Sequence, residues 1–470
     1  MTLASRKDID MTSGPVFSKM LVFVLPLIFT NLLQVLYNAA DMIVVGFSPE
    51  PDAVGAIGTT SAFTSLIINL FIGLSVGANV VVARHIGAGD KERASRAVHT
   101  ATVAALLFGI AGAVVGISIA RPVMVLMGNE GKLLDLSVTY TRIYFAAIPF
   151  HALSNYAIAL HRAKGDTRTP LIVLSISGVV NVLLNLFFVL VLKVSVEGVA
   201  IATAVAAALS AAVLYGNLIR DSGPCHFSFK KLRMDLAEMK QILLIGIPSG
   251  VQGALFSIAN MMVQSSIIQV NNSVCDPNAA YQPVVKGNAA VSNLESFVYT
   301  AVNAVTQATI SFTSQNYGAG RIDRIKRVRR NSYLLDFAVA VLVAAVIVLL
   351  NRPLLALYGV HDSATDPLAQ LAYQTAMKRI VWTILPYGAI CLMEIGSAVL
   401  RGLGKSISST VICLIGACLL RIVWVNTVFR AAGTLESIYA VYPVSWLVTG
   451  VILLVFGGRE VRRLLRGGAK

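Results

Sequence analysis

Long apolar blocks with almost no charge alternate with short polar connections along this chain, and several blocks exceed 18 residues. A helix of about 20 apolar residues crosses the hydrocarbon core of a bilayer. The pattern therefore predicts an all-α polytopic membrane protein. Twelve spans are expected, at 18–46, 54–82, 97–120, 136–160, 170–192, 196–219, 241–270, 287–314, 332–350, 379–400, 407–429 and 438–457.

The blocks form two copies of one unit. Gly87-Ala88-Gly89 is matched 231 positions later by Gly318-Ala319-Gly320, and Arg121-Pro122 by Arg352-Pro353 at the same offset. Pro26 is matched by Pro248 and Asn38 by Asn260, both at offset 222. Six spans per copy return the chain to its starting side. The expectation is two six-helix bundles related by a pseudo-twofold axis along the membrane normal, the architecture of many transporters. The expected division is an N-terminal lobe at 1–219, a cytoplasmic linker at 220–240, a C-terminal lobe at 241–457 and a basic cytoplasmic tail at 458–470.

Composition supports the membrane reading. The chain is 56% hydrophobic and 13% charged, with a mean hydropathy of +0.75, whereas soluble domains are about one quarter charged. Its net charge of +15 is an orientation signal. With the N-terminus inside, the inner segments hold 28 of the 38 Lys and Arg residues. Positive loops stay cytoplasmic, so both termini are expected there, in a bacterial plasma membrane. Attraction to anionic lipid is a secondary effect, and no nucleic-acid partner is expected. The first apolar run lacks a cleavage pattern and is expected to remain as an anchor.

Ionisable and amide side chains inside the spans carry the candidate chemistry, because their burial is costly. Gln34, Tyr37, Asn38 and Asp41 recur at i, i+3, i+4 and i+7, on one helical face. An acid among amides and a phenol can take a proton or a bare cation. Asn181 and Asn185 share a face of the fifth span, with Asn155 and Thr203 on neighbouring spans; either they line a wet cavity, Asn181 and Asn185 joining the Asp41 group in binding the coupling cation and Asn155 and Thr203 serving as secondary cation or substrate candidates, or they join helices by hydrogen bonds. Glu394 and Glu295 are secondary cation or substrate candidates, and Arg421 is a possible partner for Glu394. Pro26 and Pro248 each lie in the first span of a repeat and are expected kink points.

Other chemistry finds no support in the sequence. The five cysteines form no CxxC or Cys/His cluster, so no metal site is expected. Neither GAG loop carries the Lys-Ser/Thr of a phosphate-binding loop. No Ser/His/Asp set or HExxH motif argues for an enzyme, and no cofactor is expected beyond a coupling ion.

These residues together resemble the multidrug and toxic compound extrusion (MATE) family. The resemblance rests on Pro26 with Gln34-x-x-Tyr37-Asn38-x-x-Asp41 and Val45-Gly46, on both GAG loops, and on Leu400–Lys405 matched by Leu160–Asp166. It covers about 15–460 and is strongest to the bacterial branch with DNA-damage-inducible and archaeal-type members. It implies a V-shaped pair of bundles and monomeric antiport of H+ or Na+ against small, mostly cationic amphipathic compounds, with Asp41 holding the coupling ion. One departure is Asn185, where many relatives carry an aspartate; a two-carboxylate sodium site there is then less expected, which favours protons at Asp41, or sodium coordination helped by Glu295 and Glu394. A lipid-linked oligosaccharide flippase of the same superfamily, or an exporter of a dedicated metabolite, is the alternative.

Overall fold

A bilayer core offers no water to main-chain N–H and C=O groups, so each must be paired within the protein. The computed structural model meets this with helices alone: no β-strand occurs among the described residues, which are 8–48, 50, 52–276 and 281–467. The side chains of Asn38, Ala62 and Gly467 lie outside that set. The first ten helices are α1 (Val16–Val45), α2 (Ala53–Gly87), α3 (Lys91–Leu126), α4 (Gly131–Ala146), α5 (Ile148–Lys164), α6 (Arg168–Leu186), α7 (Val196–Arg220), α8 (Leu236–Val274), α9 (Pro283–Gly318) and α10 (Ile322–Leu349). The chain continues through helical stretches at Pro367–Gly402, Ser406–Ala432 and Leu435–Arg466.

Ten helices among the described residues are long and apolar enough to cross a membrane. The pair α4 and α5, bent by 47° relative to each other, is long and apolar enough to count as an eleventh when taken as one broken span. The remaining expected span, 287–314, falls within α9. That helix has 36 residues, but Asn288, Asn293, Glu295, Asn303 and Gln307 reduce its apolarity. Helices also overrun the spans expected from hydropathy. Thus α3 begins at Lys91 rather than 97, because the Asp90 carboxylate caps it by accepting from the Arg93 N–H at 2.9 Å. Helix α1 runs through Pro26 and α8 through Pro248 without a break in either helix. The Thr30 hydroxyl donates to the Pro26 carbonyl at 2.8 Å.

The chain divides into two compact units, one drawn from Met1–Gly253 with Ser314–Arg321, the other from Ala254–Thr313 with Ile322–Lys470. In the first, α2 meets the start of α8 through glycines spaced four apart on both helices. A Cβ at Gly73 would lie 2.2 Å from the Gly250 backbone, and one at Gly77 would lie 2.1 Å from the Ile242 carbonyl oxygen. A Cβ at Gly246 would lie 2.8 Å from the Leu74 carbonyl oxygen. Small-xxx-small spacing allows such backbone contact in membrane helices. A buried His85–Glu238 pair, 2.9 Å apart, joins the same two helices near their ends.

The two GAG turns meet in this unit as well. A Cβ at Gly87 would lie 1.9 Å from the Gln315 carbonyl oxygen, and one at Gly318 would lie 1.9 Å from the Arg84 carbonyl oxygen. Gly89 and Gly320, the last glycines of the two motifs, both have left-handed backbones, with φ of 73° and 68°. Each motif therefore uses one glycine for contact and one to end a helix. The second unit is filled by a core that includes Tyr387, Tyr439, Trp446 and Ile384.

Gly77→Ala is expected to destabilise the protein by about 1–3 kcal/mol, the cost of overpacking. Gly216→Ala is the control, because nothing lies within 4 Å of its added carbon. Melting curves in detergent should show a lowered midpoint for the first and an unchanged or higher one for the second.

Candidate functional site

Asp41 stands in the last third of α1 and faces α6. Its Oδ1 accepts from Asn185 Nδ2 at 2.5 Å. The same nitrogen donates to Asn181 Oδ1 at 3.3 Å, and Asn181 Nδ2 donates to Thr203 Oγ1 on α7 at 3.4 Å. Thr203 in turn donates to the Val199 carbonyl at 3.0 Å. One polar chain thus links three helices. Asn185 is fully buried, and its Oδ1 has no hydrogen-bond partner among the described residues. A π-helical turn at Phe187–Val191 follows directly; such turns are frequent at functional sites.

The α1 face is positioned by its neighbour. Tyr37 donates to the Ser175 carbonyl at 3.1 Å. Its ring occupies the space that a Cβ at Gly178 would take, 1.9 Å away. Gln34 is exposed, and the Asn38 side chain lies outside the described residues. Asn155 does not join the Asp41 chain; its Nδ2 donates to the His151 carbonyl of its own helix at 3.0 Å. Tyr140 and Tyr144, not singled out from the sequence, lie within electrostatic range of Asp41. With His151 they form a stacked row, with centroid separations of 6.0 and 5.3 Å. Their i, i+4 spacing was the available signal.

The decisive property of Asp41 is that its charge has no fixed partner. Among the described residues no Lys, Arg or His lies within 4 Å of it, and the bond it accepts comes from a neutral amide. Glu295, in the second unit, is the opposite case. It pairs with Arg379 at 2.6 Å, and Arg379 Nη1 also donates to Asn288 Oδ1 at 2.5 Å. Tyr439 donates to the same oxygen at 3.2 Å. Arg379 was read only as a span boundary, yet it compensates Glu295, and a π-helical turn at Ile380–Ile384 follows it.

The expected Arg421–Glu394 pair does not form. Arg421 donates to Asn260 Oδ1 at 2.7 Å and to Ser445 Oγ at 3.3 Å, and lies 4.8 Å over the Tyr442 ring. Its neighbours at bonding distance are therefore neutral. Glu394 is half-buried, within electrostatic range of Arg401 and of Asp336. Asp336 on α10 is fully buried. Among the described residues no well-formed hydrogen bond reaches either of its oxygens, and the weakly polar Cys391 thiol lies beside it. Sequence reasoning missed Asp336, although an acid within an apolar run was the same signal that marked Asp41. Among the described residues no three His, Cys, Asp or Glu side chains gather as a metal site.

The family model described as MatE matches residues 26–187 and 282–426. The probable multidrug resistance protein YoeA of Bacillus subtilis is 26% identical over 456 residues, covering 94% of this chain and 93% of that protein. A FAD transporter of Shewanella oneidensis is 23% identical, covering 77% of each chain. The crystal structure of MATE in complex with MaL6 aligns with a TM-score of 0.88 at 19% identity, covering 98% of this chain and 100% of that one.

Removing one member of a buried ion pair typically costs about 3–5 kcal/mol, because the other charge is stranded. Arg379→Met should therefore melt well below the parent protein. Arg379→Met combined with Glu295→Gln should recover most of the loss. A double variant no more stable than the single one would show that the pair does not carry this energy.

Proposed function

Because the chain belongs to the MatE family of membrane transporters, we propose that it is a secondary antiporter that exports small organic cations by alternating access. Proton uptake at Asp41 drives the cycle, with Na+ as the alternative coupling ion. The observation that carries this reading is the carboxylate of Asp41, held by a neutral amide and uncompensated by any fixed cation. A charge of that kind must be neutralised before its surroundings close. A cation arriving from outside neutralises it in one state, and a cationic substrate in the other. Mutual exclusion at one charge gives exchange, since a ligand shifts states only through differential affinity. A potential of 100 mV adds about 2.3 kcal/mol for each charge moved.

Pro26 and Pro248, which lie inside α1 and α8, are the places where those helices bend during the cycle. The protein acts as a monomer in a bacterial plasma membrane, with both termini cytoplasmic, and needs no cofactor besides its coupling ion.

A second reading rests on Arg421. This buried guanidinium has only neutral partners within bonding distance, so an anionic group on a substrate would complete it. A dedicated exporter of an anionic metabolite follows from that, and one relative is named as a FAD transporter.

The experiment is efflux from proteoliposomes loaded with a fluorescent organic cation, under an inward proton gradient and, separately, an inward sodium gradient. Proton-driven efflux that falls to background in Asp41→Asn is expected. Undiminished efflux in that variant would refute the role of Asp41. Flavin nucleotide efflux abolished by Arg421→Gln, with no cation efflux, would favour the second reading.

A further inference from the structure

The connection between α7 and α8 is docked at two points on the first turns of α3. At one end, the His99 ring is buried and stacks on Phe227 at 5.3 Å. His99 Nδ1 donates to the Ser95 carbonyl at 2.7 Å, which leaves Nε2 to accept from the Ser228 N–H at 3.1 Å. At the other end, the Asp235 N–H donates to Thr100 Oγ1 at 3.0 Å, and the Asp235 carboxylate lies 3.6 Å from Arg96. The six residues between, Phe229–Lys230–Lys231–Leu232–Arg233–Met234, are all exposed. Apolar and basic side chains are interleaved along them. Phe229 is 72% exposed and Leu236, just beyond, 73%.

Two hollows flank this platform. One, of about 600 Å³, is lined by Lys91, Arg96, Lys230, Lys231 and Arg233, against the single acid Glu92. Lys91, Lys230, Lys231 and Arg233 have no carboxylate within 4 Å among the described residues. The other, of about 430 Å³, runs along α8 from Leu236 past Leu244 to Pro248 and is almost entirely apolar. The basic hollow lies at the first turns of α3, and the apolar one starts at the first turn of α8 and follows it inward; both helices are of membrane length, and the ends of such helices meet the headgroup layer. Unpaired cations in one hollow and hydrocarbon in the next match the two ends of an anionic phospholipid.

We propose that this platform is a binding site for an anionic glycerophospholipid. The phosphate sits among Lys91, Lys230, Lys231 and Arg233, and an acyl chain lies along α8 toward Pro248. Its two anchors on α3 hold the segment in place before lipid arrives, so binding does not have to order it. Occupation would tie the linker and the proline-bearing part of α8 to the composition of the facing leaflet.

The test uses full-length protein stripped of lipid in detergent, with dioleoylphosphatidylglycerol, dioleoylphosphatidylcholine or inorganic phosphate added. Each basic residue near a lipid surface contributes about 1 kcal/mol, or about fivefold in affinity. The triple variant Lys230→Gln/Lys231→Gln/Arg233→Gln should then bind phosphatidylglycerol on the order of a hundredfold more weakly, while melting like the parent without lipid. Native mass spectrometry should show a retained phosphatidylglycerol on the parent, absent from the variant, and no retained phosphatidylcholine. Leu244→Glu should weaken lipid binding through the apolar hollow alone. Equal retention by parent and triple variant would overturn the proposal. So would full stabilisation by inorganic phosphate, which would make the hollow a free-anion site. If the triple variant does not fold, Lys230→Gln alone, read by the same lipid count, decides the matter.

Discussion

Every polar atom placed in the hydrocarbon layer must find its partner inside the protein, because no water is there to supply one. That constraint makes the chain helical among its described residues, and it also sorts the intramembrane side chains. Asn181 and Thr203 satisfy each other and a carbonyl. Arg379 and Glu295 cancel as a pair. Among the described residues, the groups left with a charge that nothing opposite balances at bonding distance, or with an atom lacking a hydrogen-bond partner, include Asp41, the Oδ1 of Asn185, Asp336 and Arg421. Such groups destabilise the resting protein unless something outside it binds them, which is why a transporter's chemistry is to be sought there.

Helix content and the duplicated architecture were legible in the sequence because both are written as long-range regularities, in apolar blocks of membrane length and in matched motifs. Helix ends were less so. Hydropathy registers the apolar part of a helix, whereas its end is set by a local cap such as Asp90, in water and among charges. The same limit explains α9, whose amides lower its apolarity although it is long enough to span.

Within the candidate site, helical spacing grouped Asp41 with Tyr37, and Asn181 with Asn185, because residues three and four apart share a face whatever the helix packs against. Spacing gives no information on which helices become neighbours. It therefore did not give the Asp41–Asn185 hydrogen bond, separate Asn155 from that group, or assign Arg379 rather than Arg421 to an acid. Those outcomes depend on contacts across 144 and 84 residues of chain, beyond the reach of a local pattern.

The meeting of the two GAG turns carries a consequence for how such a chain can change. At Gly87 and Gly318 the atoms opposite are carbonyl oxygens of the main chain, contributed by Gln315 and Arg84. A side chain gained at either position thus faces something that no replacement of the opposing residue can remove. Compensation between the two copies is closed off at this spot, because the opposing atoms belong to the backbone itself.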